Sequence, residues 1–269
     1  MQSTEGIFNR SEMLLGTGMM EHIANLRVII FGVGGVGSWC AESLIRNGIH
    51  HLTIVDSDCV CASNVNRQLM ATTKTIGQPK VEALQNRLRD INPEAEIIAL
   101  QKVYNADNSN DFELPSYDYI IDAIDSLQEK MHLIIQATSL IGAEGSHVKQ
   151  IFCSMGAALR IDPTKVKVAE FWKINGDALA RAIRNKFKRN KQFPKRKFLC
   201  VFSEEVAMQN LSAADKFDDN TDGQSQTGKS RWDAKKAQIN GSLSHITAIF
   251  GMTLAGLVMV DIRKRYMNE

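Results

Sequence analysis

The sequence predicts a doubly wound α/β fold with a mostly parallel sheet, and three observations carry that prediction. Short apolar runs at 27–31, 52–55, 97–100, 119–121 and 148–153 alternate with segments of helical period. A glycine cluster, Gly32, Gly34, Gly35 and Gly37, stands between the first run and a helical segment. The second run ends in a carboxylate, Asp56. Strand, glycine turn, helix, strand and acid, in that order, make a nucleotide-binding unit.

The elements follow in order. Residues 1–25 read as a short helical lead-in, and 27–31 as the first strand. A helix over 38–47 stops at Gly48, a residue suited to helix ends. The second strand covers 52–55. Val81, Leu84, Leu88 and Ile91 set a helical period over 80–91, which Asn92-Pro93 closes. Strands at 97–100 and 119–121 flank the next stretch, and 127–140 is helical. The fifth strand, 148–153, runs into a small-residue turn, Gly156-Ala157-Ala158. Beyond Asp162-Pro163 the composition changes. Residues 166–171 alternate like a strand, 177–197 are strongly basic, and 199–202 form a short strand. Residues 212–236, rich in Asp, Ser, Gln, Asn and Gly, predict a mobile loop, and the last helix runs from about 242 to the end. This divides the chain into a nucleotide-binding core with its lead-in, 1–165, and a basic C-terminal extension, 166–269, that completes the same domain.

Composition bounds the function. The chain has 269 residues, 44% of them apolar, enough for a sizeable core. Lys and Arg number 32 against 30 Asp and Glu, a net charge of +2, so affinity for nucleic acid must come from a local patch. The five cysteines, Cys40, Cys59, Cys61, Cys153 and Cys200, contain no Cys-x-x-Cys pair; a structural zinc site is not expected, and reduced thiols in a cytoplasmic protein are. The longest apolar stretch, 246–260, has about 15 residues against the ~20 that span a bilayer, so a buried or interface helix is expected there and no membrane insertion.

The nucleotide unit carries more cations than a dinucleotide needs. The glycines let backbone approach a phosphate, and the helix after them offers free N–H groups and a positive dipole end. Asp56 stands where a carboxylate accepts from ribose hydroxyls. Arg67 can fork two phosphate oxygens. Lys80 opens a helix against the dipole preference, as a residue placed for an anion would. Asp122 and Asp125 follow the fourth strand; a carboxylate beside a triphosphate requires a cation between them, and magnesium suits oxygen ligands. These features point to ATP with magnesium and to adenylation.

Here the residues meet a family. Gly32-Val-Gly-Gly-Val-Gly-Ser38, Asp56-Ser-Asp58, Ser63-Asn-Val-Asn-Arg-Gln68, Lys80 and Asp122-Ala-Ile-Asp-Ser126 resemble the ubiquitin-activating-enzyme-like superfamily, whose bacterial members include ThiF and MoeB. The resemblance implies a Rossmann-like adenylation fold. It also implies that Asp56 holds the ribose, that Asn64, Arg67 and Lys80 hold phosphates with Asp58 alongside, and that Asp125 sits by the metal. Phe8-Asn9-Arg10-Ser11 resembles the family's N-terminal arginine segment, which implies a homodimer in which Arg10 reaches the partner's triphosphate. Gly142-Ala-Glu-Gly145, Gly156-Ala-Ala158, Arg160-Ile-Asp-Pro-Thr164, Leu179-Ala-Arg-Ala-Ile-Arg184, Val201-Phe-Ser-Glu-Glu205 and Gly241-Ser-Leu-Ser244 are similar to the tRNA threonylcarbamoyladenosine dehydratase branch. That branch implies ATP-driven cyclisation of threonylcarbamoyladenosine in tRNA, with a cysteine desulfurase system as a further partner the resemblance suggests. The competing readings are adenylation of a ubiquitin-like sulfur carrier, an NAD-dependent oxidoreductase that leaves Arg67 and Lys80 unexplained, and a tRNA-binding module without activity.

The basic segment carries Arg181, Arg184, Lys188 and Arg189 among other cations, with phenylalanines interleaved, and is the candidate tRNA phosphate surface. Arg181 and Arg184, three apart, are expected on one helix face. Cys153 and Cys200 lie in apolar strand patterns and read as buried filler, so a covalent thioester step is not expected.

Overall fold

The computed structural model describes residues 6–211 and 240–268, so the loop expected at 212–236 lies outside the described residues. The strands are β1 (Arg27–Phe31), β2 (His51–Val55), β3 (Glu96–Leu100), β4 (Tyr119–Asp122), β5 (Gln150–Ser154), β6 (Val166–Glu170) and β7 (Leu199–Ser203). They form one sheet in the order β3-β2-β1-β4-β5-β7-β6. Every neighbouring pair is parallel except β6 with β7. Six strands therefore end at one shared edge. In register, Ile30 stands between Ile54 and Ile121. The central runs are continuously apolar, not alternating, because both faces of the sheet are covered: Val28 to Phe31 are all buried.

The helices are α1 (Asn9–Leu15), α2 (Thr17–Ala24), α3 (Gly37–Arg46), α4 (Lys80–Ile91), α5 (Leu127–Leu140), α6 (Ala178–Asn190) and α7 (Ser244–Tyr266). One core packs α2, α3, α4 and α7 on one face of the sheet. The second packs α5, α6 and the segment through Tyr104, Phe112 and Tyr117 on the other. The predicted lead-in is two helices separated by Gly16. The fifth strand starts two residues late, because Ser146 turns the chain and accepts from Val148 N.

The residues after 165 join this body and do not hang from it. β7 enters the sheet between β5 and β6, and the basic segment becomes α6, with Ala180, Ile183 and Phe187 buried. α7 buries Ile246, Phe250, Leu254, Val258 and Ile262. Gly251 lets it lie against α3: a Cβ there would fall 2.3 Å from Val36 O and 2.8 Å from Cys40 N. At 23 residues this helix exceeds the apolar run that defined it in the sequence and is long and apolar enough to cross a membrane, while 44% of its most apolar window is buried in the protein.

Candidate active site

The carboxyl edge of the sheet gathers most of the predicted residues. Gly32 leaves β1 at φ +83°, and a Cβ on it would lie 2.8 Å from Ala123 O in the loop after β4. Gly37 starts α3 so close to the turn that a Cβ would fall 1.9 Å from Gly32 O. Those two contacts require glycine. Gly34 has only the Gln68 amide nearby, at 3.7 Å, which leaves backbone accessible to a ligand. Ser38 ties the turn to the next motif. Its hydroxyl donates to Gly34 O at 2.7 Å and accepts from Leu69 N at 3.2 Å. Trp39 Nε1 adds a bond to Arg67 O at 3.2 Å.

Asp56, at the end of β2, accepts from Val33 N at 2.9 Å and from Asp58 N at 3.0 Å. It is thereby fixed against the glycine turn. Lys80 is 6% exposed; its ammonium bonds Asp58 Oδ2 at 2.7 Å and lies 3.7 Å from Asp56 Oδ1. Burial raises the Asp56 pKa above the ordinary carboxylate range, with Lys80 opposing. Burial also works against charged Lys80, but Asp56 and Asp58 outweigh it and hold its pKa above the usual lysine value. Lys80 is the first residue of α4, as the sequence predicts, and the carboxylates offset its unfavourable place beside the helix dipole.

Asn64 is buried and accepts from Cys61 N at 3.1 Å, which shapes the turn before Arg67. Arg67 Nη1 donates to Ser63 O at 2.7 Å and Asn66 Oδ1 at 2.9 Å. Burial lowers its pKa, and the charge of Asp125 works the other way, which places Asp125 within electrostatic reach. Asp125 is exposed on the loop between β4 and α5. Asp122 differs. It is fully buried, accepts from Ile124 N at 3.1 Å, and pairs with Lys130 Nζ at 2.9 Å. Lys130, also fully buried, donates further to Ile124 O at 3.0 Å. Sequence reading missed Lys130; its only signal is a lysine on the apolar side of α5. Asp122 is thus buried against Lys130, whereas Asp125 is exposed at the loop. No group of three or more metal-ligating side chains occurs among the described residues, but magnesium carried on phosphates needs only one or two carboxylates.

Other predicted residues lie elsewhere. Arg10 is exposed on α1, and Phe8, two residues before it, packs its ring 6.0 Å from that of His50 at the amino end of β2. The cluster in the same chain is at the opposite edge. On α6, Arg181, Lys188 and Arg189 are exposed. Arg184 turns inward and donates to Phe171 O at 3.2 Å and Ile174 O at 2.7 Å, so it does not share the outward face expected with Arg181. Cys153 and Cys200 are buried, as expected, and face each other between β5 and β7. Cavities of about 580 and 300 Å³ open at the amino edge, beside His147 and beside His51, and none of the predicted residues lines them. The carboxyl-edge site lies at the switch between β1 and β4, where doubly wound sheets bind ligands.

Fold and site together define a nucleotide-binding α/β protein with cations suited to a polyphosphate. The ThiF family model matches residues 8–260, and the chain belongs to the ThiF family. It is 33% identical over 258 residues to the tRNA threonylcarbamoyladenosine dehydratase of Bacillus subtilis, an alignment covering 96% of this chain and 94% of the relative. Crystal structures of Escherichia coli tRNA N6-threonylcarbamoyladenosine dehydratase resemble it along its whole length. The complex with AMP matches with a TM-score of 0.82 at 27% identity, covering 100% of this chain and 98% of that one. The complex with ATP matches with a TM-score of 0.81 at 26% identity and the same coverage.

Proposed function

We infer that this chain catalyses the ATP-dependent cyclising dehydration of threonylcarbamoyladenosine in tRNA. The observation that carries this is a match to dehydratases along the whole chain, joined to an intact cluster of glycine turn, Asp56, Lys80 and Asp125. Adenylation of a ubiquitin-like sulfur carrier is the weaker reading, because the relative that spans this chain modifies tRNA.

The chemistry follows from a poor electrophile. The threonine carboxylate attacks the α-phosphorus of ATP, and pyrophosphate leaves. The acyl adenylate then meets the carbamoyl nitrogen or oxygen of the same nucleoside, loses AMP, and the nitrogen gives up a proton. One water is lost overall. The ring-closing group is already held close, which supplies a large effective molarity and removes the need for an enzyme nucleophile. In this proposal Asp56 accepts from the ribose. Gly32, Gly34, Gly35, Gly37 and the start of α3 carry the phosphates with Asn64, Arg67 and Lys80. Asp58 pairs with Lys80 until the phosphates arrive. Asp125 holds magnesium, which would neutralise charge on the leaving pyrophosphate.

The proposal extends to a homodimer in which Arg10 serves the partner's site. Supporting it, α1 has no buried residue, exposes Met13 and Leu14, and starts at the edge opposite its own cluster. For tRNA, Arg181, Lys188 and Arg189 offer phosphate contacts, and Arg184 seats α6 beneath them. A cytoplasmic location and a cysteine desulfurase system as partner belong to the same reading. The test is mass spectrometry of tRNA nucleosides after incubation with protein, ATP and magnesium. Conversion of threonylcarbamoyladenosine to the product lighter by one water is expected. AMP release that depends on a sulfur-carrier protein and not on tRNA would reverse the choice.

A further inference from the structure

Arg160 is 4% exposed, yet its Nε and Nη1 have no hydrogen-bond partner among the described residues. A guanidinium stays charged at working pH, and a buried charge without an acceptor is strongly disfavoured. Two carboxylates on adjoining segments already accept from backbone. Glu205 accepts from Ile161 N and Asp162 N, both at 3.0 Å, and Asp177 accepts from Gly156 N at 3.1 Å and Ala180 N at 2.8 Å.

The loop that carries Arg160 is clamped on both sides of it. Leu159 N donates to Gly241 O and Met208 N to Leu159 O, each at 2.9 Å. His245 Nε2 meets Ile161 O at 2.9 Å. Leu159 itself sits at φ +60°, a conformation that side chains rarely adopt, so the arginine is held where it is against a local cost.

Its place is informative. The loop follows β5 on the same carboxyl edge as the nucleotide cluster, on the side of β5 and β7. Segment 241–247 joins the two. Asn66 Nδ2, beside Arg67, donates to Ser242 O at 2.8 Å, and Thr247 lies 3.1 Å from where a Gly35 Cβ would be. The loop that carries Arg160 is thus tied through 241–247 to the segment that carries Arg67, on the β5 side of the sheet edge.

We propose that Arg160 binds an oxyanion of the acceptor substrate, a carboxylate or a phosphate oxygen of the RNA presented to the adenylation site. This rests on the function proposed above. Arg160→Met keeps length and removes charge. Without ligand, its melting temperature should equal or exceed that of the parent, because an apolar side chain replaces a buried charge with two donors unpartnered among the described residues. A clear drop would mean that the arginine is a structural tie and would overturn the proposal. With tRNA, kcat/KM should fall about tenfold or more, the scale of one charge-assisted hydrogen bond, with ATP affinity unchanged and partial rescue in Arg160→Lys. Unchanged kcat/KM would also overturn it.

The free nucleoside threonylcarbamoyladenosine separates the two sources. A loss shared by nucleoside and tRNA identifies the carboxylate. A loss confined to tRNA, with a log K against log salt slope shallower by about 0.7–0.9, identifies a phosphate. If the parent turns over no tRNA, the functional reading fails on its own. The oxyanion question is then decided by melting shifts with inorganic phosphate, with the nucleotide site saturated by AMP. A shift in the parent that is absent in Arg160→Met supports the proposal, and equal shifts sink it.

Discussion

Two halves of one sheet edge treat buried cations differently. Over β1, β2 and β4, Lys80 has Asp58 at 2.7 Å and Lys130 has Asp122 at 2.9 Å. Over β5 and β7, Arg160 is just as buried and has no acceptor on Nε or Nη1 among the described residues. In the first half both lysines have a carboxylate partner without a ligand, so an incoming polyphosphate must exchange for one of those carboxylates at Lys80. Asp58, 56% exposed against 11% for Asp56, is the partner placed to release Lys80 while Asp56 stays fixed. In the second half two guanidinium donors need no such exchange among the described residues. One half holds its lysines on carboxylates, and the other buries an arginine with two donors unpartnered among the described residues.

Breaking the complete half at its deepest point should have the largest effect. Lys130→Met leaves Asp122 buried and uncompensated, and should cost about 3–5 kcal/mol in urea denaturation. Adding Asp122→Leu should recover most of it. Equal stability of parent and single variant would show that the pair does not hold the acidic loop.

Lys80→Ala should cut AMP formation about a hundredfold or more while circular dichroism stays native. Arg10→Ala should also be inactive, and mixing the two variants should restore part of the activity through dimers with one intact site. No recovery after demonstrated subunit exchange would remove Arg10 from the site.

A scaffold ion cluster supplies a control in which pairing serves stability alone. Glu42 meets Arg46 at 2.9 Å and Arg87 at 2.6 Å. Burial raises its pKa, the two arginines lower it more, and the net value lies below the ordinary 4.5. A depressed carboxylate stabilises the fold above that ordinary value and loses its contribution as pH falls through the folded one. The parent should therefore lose stability on acidification below 4.5, and Glu42→Gln should lose less while starting lower at neutral pH. Parallel stability curves for the two would contradict this.

The smallest effects belong to α6. Arg181→Ala, Lys188→Ala and Arg189→Ala should each flatten the salt dependence of tRNA binding by about 0.7–0.9 and leave ATP binding alone. Arg184→Ala should instead lower the melting temperature, since its guanidinium bonds two carbonyls. An unchanged slope in the triple variant would take α6 out of the RNA interface.

Local physics made much of this legible in the sequence. Alternating apolar periods set the strands and helices, because each period buries one stripe or run whatever the neighbours are. The glycine turn, Asp56 and the start of α4 at Lys80 were readable for the same reason: φ freedom, strand ends and helix starts are properties of a few adjacent residues. Pairings across the fold were not readable. Arg184 looked like Arg181 in sequence, yet one bonds the body and the other faces water. Lys130 looked like any helical lysine until the sheet placed Asp122 against it. Arg160 became distinctive only in the folded chain, where it is buried with Nε and Nη1 unpartnered among the described residues. A charge's partner depends on chain segments brought together from far apart in sequence, and only the tertiary structure decides that distance.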